Sequence, residues 1–113
     1  MYVAVFKEEE VSAGATATSE SFYHLYDLYS HHAVEYEVSG DGTVRVEVET
    51  SISGRNFISQ GYTAKGLVKT SGPGGDGKGM VNLALRPAEF VRFKVTETGG
   101  VNSATVTLYF VQK

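Results

Sequence analysis

The chain of 113 residues contains no cysteine. Disulfide frameworks, thiolate zinc sites and cysteine nucleophiles are excluded together, and the redox compartment stays open. No apolar run approaches the ~20 residues that a membrane-spanning helix requires. There is no basic stripe either. Acids and bases interleave around a formal charge of −3, whereas a nucleic-acid binder draws most of its affinity from neutralising phosphates. The start, MYVAVFKEEE, has no basic region ahead of an apolar block and does not read as a signal peptide. Synthesis in the cytoplasm, with no export signal of its own, is the expectation, with no nucleic acid and no membrane as partners.

Hydrophobic residues make up 42% of the chain and charged residues 20%, an ordinary globular balance. This length predicts one domain, able to bury about two thirds of its unfolded surface without a metal or disulfide. No long stretch has a convincing helical period. The dominant signal has period two, the mark of strands with one dry and one wet face. In AVEYEVS, Val34, Tyr36 and Val38 alternate with Glu35 and Glu37; in TVRVEVET, Val44, Val46 and Val48 alternate with Arg45, Glu47 and Glu49. Between them, Gly40 to Gly42 reads as a hairpin loop that sets Val38 level with Val44 and Glu37 opposite Arg45.

The C-terminal half repeats the pattern. Val81, Leu83 and Leu85 form one apolar row, Val91, Phe93 and Val95 another, and Ala104, Val106, Leu108 and Phe110 a third. Turns are expected around Pro87 and from Thr98 to Asn102. Shorter strand candidates are YVAVFK at the start, Asn56 to Gln60, and Ala64 to Thr70. SFYHLYDLYSHH would place Phe22, Leu25, Tyr26 and Tyr29 on one helical face, but its aromatic enrichment favours extended chain. Together these segments predict an all-β, single-domain antiparallel β-sandwich, a jelly roll of about eight strands. Residues 1–20 supply an N-terminal strand and extended arm; residues 21–113 supply the sandwich proper.

GPGGDGKG, Gly72 to Gly79, has most of a phosphate-loop pattern. Such a loop needs a Ser or Thr after the lysine and a helix behind it. Here Gly79 follows Lys78 and a strand pattern follows that, so the expectation is a wide turn whose Pro73, Asp76 and Lys78 could touch a partner. His31 and His32 point to opposite faces of a strand, His24 has no completing ligands, and no metal site is expected. Asp41 and Asp76 are lone carboxylates in turns, short of the oxygens calcium takes. No serine sits in a nucleophile elbow, so no enzyme and no cofactor are expected. The amphipathic cluster Phe22, Tyr23, Tyr26 and Tyr29 is the candidate partner interface. The small-residue arm, with Val11, Ala13 and Ala15, could add a strand to a neighbour's sheet edge.

TSISGRNF (Thr50 to Phe57) and RPAEFVRFKVTETGG (Arg86 to Gly100) resemble the discoidin-like, galactose-binding-type jelly roll. Ser53 stands where that family has a turn Asp, and Arg92 matches its second Arg. More specifically, SGDGTV, TSISGRNF, TSGPGGDGK, EFVRFKVTETGG and ATVTLYF, spread from Ser39 to Phe110, resemble small structural proteins of tailed-phage virion gene clusters. That resemblance implies a virion component, a capsid decoration or cement protein, with a tail or fibre accessory as the nearest variant. Its partners would be the major capsid protein or other virion proteins, and it would form a homo-oligomer, a trimer being favoured. The other resemblance implies a carbohydrate- or cell-surface-binding module. Neither carries over a catalytic residue.

Overall fold

The computed structural model of the chain describes residues 2–23, 32–85 and 88–112. These contain nine strands and no helix: β1 (Tyr2–Val11), β2 (Thr16–Thr18), β3 (Phe22–Tyr23), β4 (His32–Gly40), β5 (Val44–Ser51), β6 (Ile58–Leu67), β7 (Lys78–Leu83), β8 (Phe90–Glu97) and β9 (Ala104–Gln112). One sheet runs β1-β9-β4-β7; the other runs β2-β8-β5-β6, with β3 also on β8. Every pairing is antiparallel. With β2 and β3 counted as two pieces of one edge strand, this is the eight-stranded order of a jelly roll, as the sequence predicts.

The parity rows meet in a single dry layer. Val34, Tyr36 and Val38 of β4 and Val106, Leu108 and Phe110 of β9 come from one sheet; Val44, Val46, Val48, Val91, Phe93 and Val95 come from the other, and all are buried. Phe93 and Phe110 touch across the layer with ring centroids 5.2 Å apart. Side chains of this size contribute ~1.5–3 kcal/mol each when removed from water.

The expected β4–β5 hairpin does not form. Val38 pairs with Val106 of β9, while Val44 pairs with Glu97 of β8 in the opposite sheet. Residues 40–43 form an arch from one sheet to the other. Parity does not separate the two arrangements, because both send the two apolar rows into the same layer. The deciding contact is Gly42, whose N–H donates to the Ser103 carbonyl at 3.0 Å. A Cβ there would lie 2.8 Å from that same oxygen, so the arch closes only on glycine.

The N-terminal segment is built into both sheets. Phe6 and Val11 of β1 lie in the core. The Val11–Ser21 stretch adds its strand to its own chain: Thr16 to Thr18 pair with β8, and the Ser19 N–H donates to the Phe93 carbonyl at 2.8 Å. Most outer edges are interrupted. β1 carries two register shifts, a run of three glutamates and Glu8 at φ 50°; β6 carries three register shifts; β2 and β3 are short. Such features discourage edge-to-edge pairing. The edge strand β7 is regular over its six residues.

One buried charge ties the arch to its neighbours. Glu97 is 1% exposed. Its carboxylate accepts N–H bonds from Gly14 at 3.0 Å, Thr43 at 2.8 Å, Gly99 at 2.9 Å and Gly100 at 2.7 Å. These donors hold its pKa at about 2 against the ordinary 4.5, outweighing the opposing effect of burial. Because the folded-state value is depressed, the stabilisation is complete above pH 4.5 and fades as pH falls towards 2. Glu97→Gln is therefore expected to lower Tm at pH 7 by ~5 °C or more. The gap to the unmodified chain should close on acidification, as read by circular dichroism melts at stepped pH. Identical melts at pH 7 would show that the carboxylate does not secure the turns.

Candidate functional site

Of the residues that the sequence nominates as a partner interface, Val11 is 2% exposed and belongs to the core. Ala15 and Phe22 pack against that core from its rim. Ala13 is exposed in the β1–β2 turn. Tyr23 is 72% exposed and stacks on Phe90 at 5.2 Å. Strand alternation thus splits Phe22 from Tyr23, one facing inward and one outward. Tyr26, Tyr29, His24 and His31 lie outside the described residues. His32 is buried, its ring stacked on Phe110 at 6.0 Å. No group of three or more His, Cys, Asp or Glu able to hold a metal occurs among the described residues.

The glycine loop from Gly72 to Gly79 folds back on its own backbone. The Gly77 N–H donates to the Ser71 carbonyl at 2.7 Å and the Gly75 N–H to Gly72 at 3.1 Å. The Gly77 carbonyl accepts from the Val38 N–H at 2.9 Å, which pins the loop to β4. The Lys78 N–H donates to Asp76 Oδ1 at 3.3 Å. A phosphate cradle needs converging free N–H groups; here several are spent on the loop itself. Gly77 has φ 81° and its missing Cβ would collide with the Val38 carbonyl. Pro73, Asp76 and Lys78 remain exposed at the tip. Asp41 is held by Lys69 at 2.6 Å, a hydrogen bond that lowers the Asp41 pKa and raises that of Lys69.

The positions carrying the discoidin-like resemblance have structural work. Ser53 Oγ accepts N–H bonds from Arg55 at 3.1 Å and Asn56 at 3.3 Å, shaping the β5–β6 turn as an Asp would. Arg92 Nε donates to Glu49 Oε1 at 2.7 Å while its guanidinium lies 4.0 Å from the Phe57 ring centroid.

Two broad outer faces provide the surface on which partners can act. On the four-stranded sheet, pairing sets Ala4, Tyr109, Glu35 and Met80 in one row across β1, β9, β4 and β7. Ala33, Glu35, Glu37, Met80, Tyr109 and Val111 line an open groove of about 470 Å³, with Met80 72% exposed. Glu8 and Glu10 of β1 add acids beside it, and Lys78 lies 3.8 Å from Glu37. On the five-stranded sheet a row of Tyr62, Glu47, Lys94 and Thr18 crosses β6, β5, β8 and β2. Arg45 and Lys65 lie 4.8 and 5.1 Å from the Tyr62 ring centroid. In the sequence these positions read only as the wet face of alternating strands. Met80 is the legible exception, an apolar side chain at an outward parity position beside Val81. Tyr62 follows Gly61 at a break in strand register, where parity gives no direction.

No family model matches the chain, and no curated protein matches it. Among solved structures it is similar to the infectious bursal disease virus VP2 subviral particle, with a TM-score of 0.64 and 15% identity over 97% of this chain and 31% of that one. It is also similar to the carbohydrate-binding module CBM36 in complex with calcium and xylotriose, with a TM-score of 0.53 and 16% identity over 98% of this chain and 99% of the module. The chain thus spans about a third of the length of the capsid protein and the whole of the module. Both likenesses are to the jelly-roll fold.

The loop geometry makes a direct prediction. Gly77→Ala forces a left-handed backbone and a collision, and is expected to cost roughly 2 kcal/mol or more. Asp76→Ala and Lys78→Ala at the exposed tip should each stay within about 0.5 kcal/mol. Urea titration measures all three, and equal stabilities would mean that the loop is not locked to β4.

Proposed function

We propose that the chain is a non-enzymatic structural protein of a tailed-phage virion, a decoration or cement component that binds the capsid or sibling subunits. The observation that carries this reading is the jelly roll of the described residues, which matches a stretch of a viral capsid protein over 97% of this chain. The sequence resemblance from Ser39 to Phe110 supports the assignment to tailed phages. A sandwich with no helix among its described residues and with polar turns tied internally is a rigid spacer, and its two outer faces, Tyr23 and the loop tip at Asp76 are the surfaces it offers. A lattice of many copies would amplify weak contacts by avidity. Deleting residues 1–20 is not a test of assembly, because it removes Phe6 and Val11 from the core. Mass spectrometry of purified virions is the test: the chain is expected as a multi-copy component, and its absence from virions of a phage that expresses it would sink the proposal.

A carbohydrate- or cell-surface-binding module is the second reading, favoured by the full-length match to CBM36. Exposed Tyr23 and Ile52 share one end of the sandwich with Ser53 and Asn56, a mixture of apolar and polar groups suited to sugar stacking. On a glycan array this reading expects binding that Tyr23→Ala reduces about tenfold, corresponding to the loss of roughly 1.4 kcal/mol. A blank array would remove it.

A further inference from the structure

The two outer faces carry opposite charge. Around the groove of the four-stranded sheet stand Glu35 and Glu37, with Glu8 and Glu10 on the adjoining β1 edge and Lys7 and Lys78 as basic neighbours. Across the molecule, the four cations Arg45, Lys65, Arg92 and Lys94 outnumber the three acids Glu20, Glu47 and Glu49, and Arg92 with Glu49 forms an ion pair at 2.7 Å. The shapes also differ. The acidic face is indented and floored by Met80 and Tyr109, while the basic face presents Tyr62, 46% exposed, between two cations. Arg45 Nε is itself buried and has no hydrogen-bond partner among the described residues, so only the outer part of the guanidinium faces a neighbour.

From this complementarity we infer that the chain associates with further copies of itself head to tail, Tyr62 of one copy seating in the acid-rimmed groove of the next. Arg45 and Lys65 then approach Glu35 and Glu37 of the neighbour, and the Tyr62 ring meets Met80. Charge of opposite sign on the two patches steers this encounter and penalises like-face pairing. The sandwich measures 39 × 30 × 20 Å, so a broad face is large enough for the ~800 Å² that each partner buries in a standard interface. The patches lie on opposite sides of the short dimension. A contact between unlike patches is heterologous, and this placement extends copies into an open stack, since closing a trimer requires the two patches to be sharply inclined. On a virion the copies would stand side by side, broad face to broad face. The inference deepens the virion reading and rests on it for its biological meaning.

Sedimentation velocity of the purified chain tests it. Mass should rise with concentration at low ionic strength and fall back as salt shortens the screening length from about 10 Å at 0.1 M to about 3 Å at 1 M. The groove variant Glu35→Lys/Glu37→Lys and the ridge variant Arg45→Glu/Lys65→Glu should each weaken self-association about tenfold or more, with circular dichroism confirming that both fold. Lys65→Glu alone, at an exposed position, gives the same direction if the double ridge variant is unstable. Mixing the two double variants, or Lys65→Glu with the groove variant, should restore association, because each then meets opposite charge on the other. A chain that stays monomeric at low salt, or folded variants that do not recover on mixing, would overturn the inference. A monomer still found in virions would remove the stack and leave the virion role; stacks from a chain absent from virions would do the reverse.

Discussion

The carboxylate of Glu97 governs one end of the molecule. Three separate turns, at Gly14, at Thr43 and at Gly99 and Gly100, send their N–H groups to the same two oxygens. Those turns join β1 to β2, β4 to β5 and β8 to β9, and all three connections pass between the sheets. A charged acceptor makes stronger bonds than a neutral one. In a site closed to water, orphaned donors would be costly. The carboxylate therefore does more than cap a turn: it fixes how the two sheets meet, and so the orientation of both outer faces. Gly42 completes the arrangement by letting the arch press on the Ser103 carbonyl.

Much of this was legible in the chain, but not evenly. The parity rows of β4, β5, β8 and β9 give the fold class because period two with one dry face has few other solutions. The same rows misplace β5. A hairpin and an arch both satisfy alternation, and the difference lies in Asn102 and Ser103, some sixty residues away, against which Gly42 packs. Glu97 continues the inward row of Val91, Phe93 and Val95, and Gly99 and Gly100 follow just beyond Thr98. That signal, an acid at an inward position next to backbone donors, is readable, but glutamate's usual role on a wet face obscures it. The aromatic segment after Tyr23 lies outside the described residues, so Tyr26 and Tyr29 stand as sequence-based candidates only.

The surfaces were the least legible part. Outward residues look alike in sequence, an alternation of Glu, Lys, Arg and Thr. Their sorting by sign emerges only when strands distant in the chain are laid side by side. Tyr62 and Glu47 are brought together across β5 and β6, and Glu35 and Met80 across β4 and β7. The fold itself is shared with a viral capsid protein and with a carbohydrate-binding module, and folds of this kind host many roles. What sets this chain apart from others of the fold is therefore its two exteriors and the Tyr23 end.

The position of β9 has a consequence for how the molecule comes into being. The last strand in order lies between β1 and β4, and neither of those pairs with the other. Until residues 104–112 have left the ribosome, the inner sides of Phe6, Val34 and Tyr36 have no layer mate between them. The nascent polypeptide must hold these oily rows unmatched until β9 emerges, a period in which intermolecular clumping competes with maturation. Such a chain completes this sheet in one late cooperative step, once β9 is available.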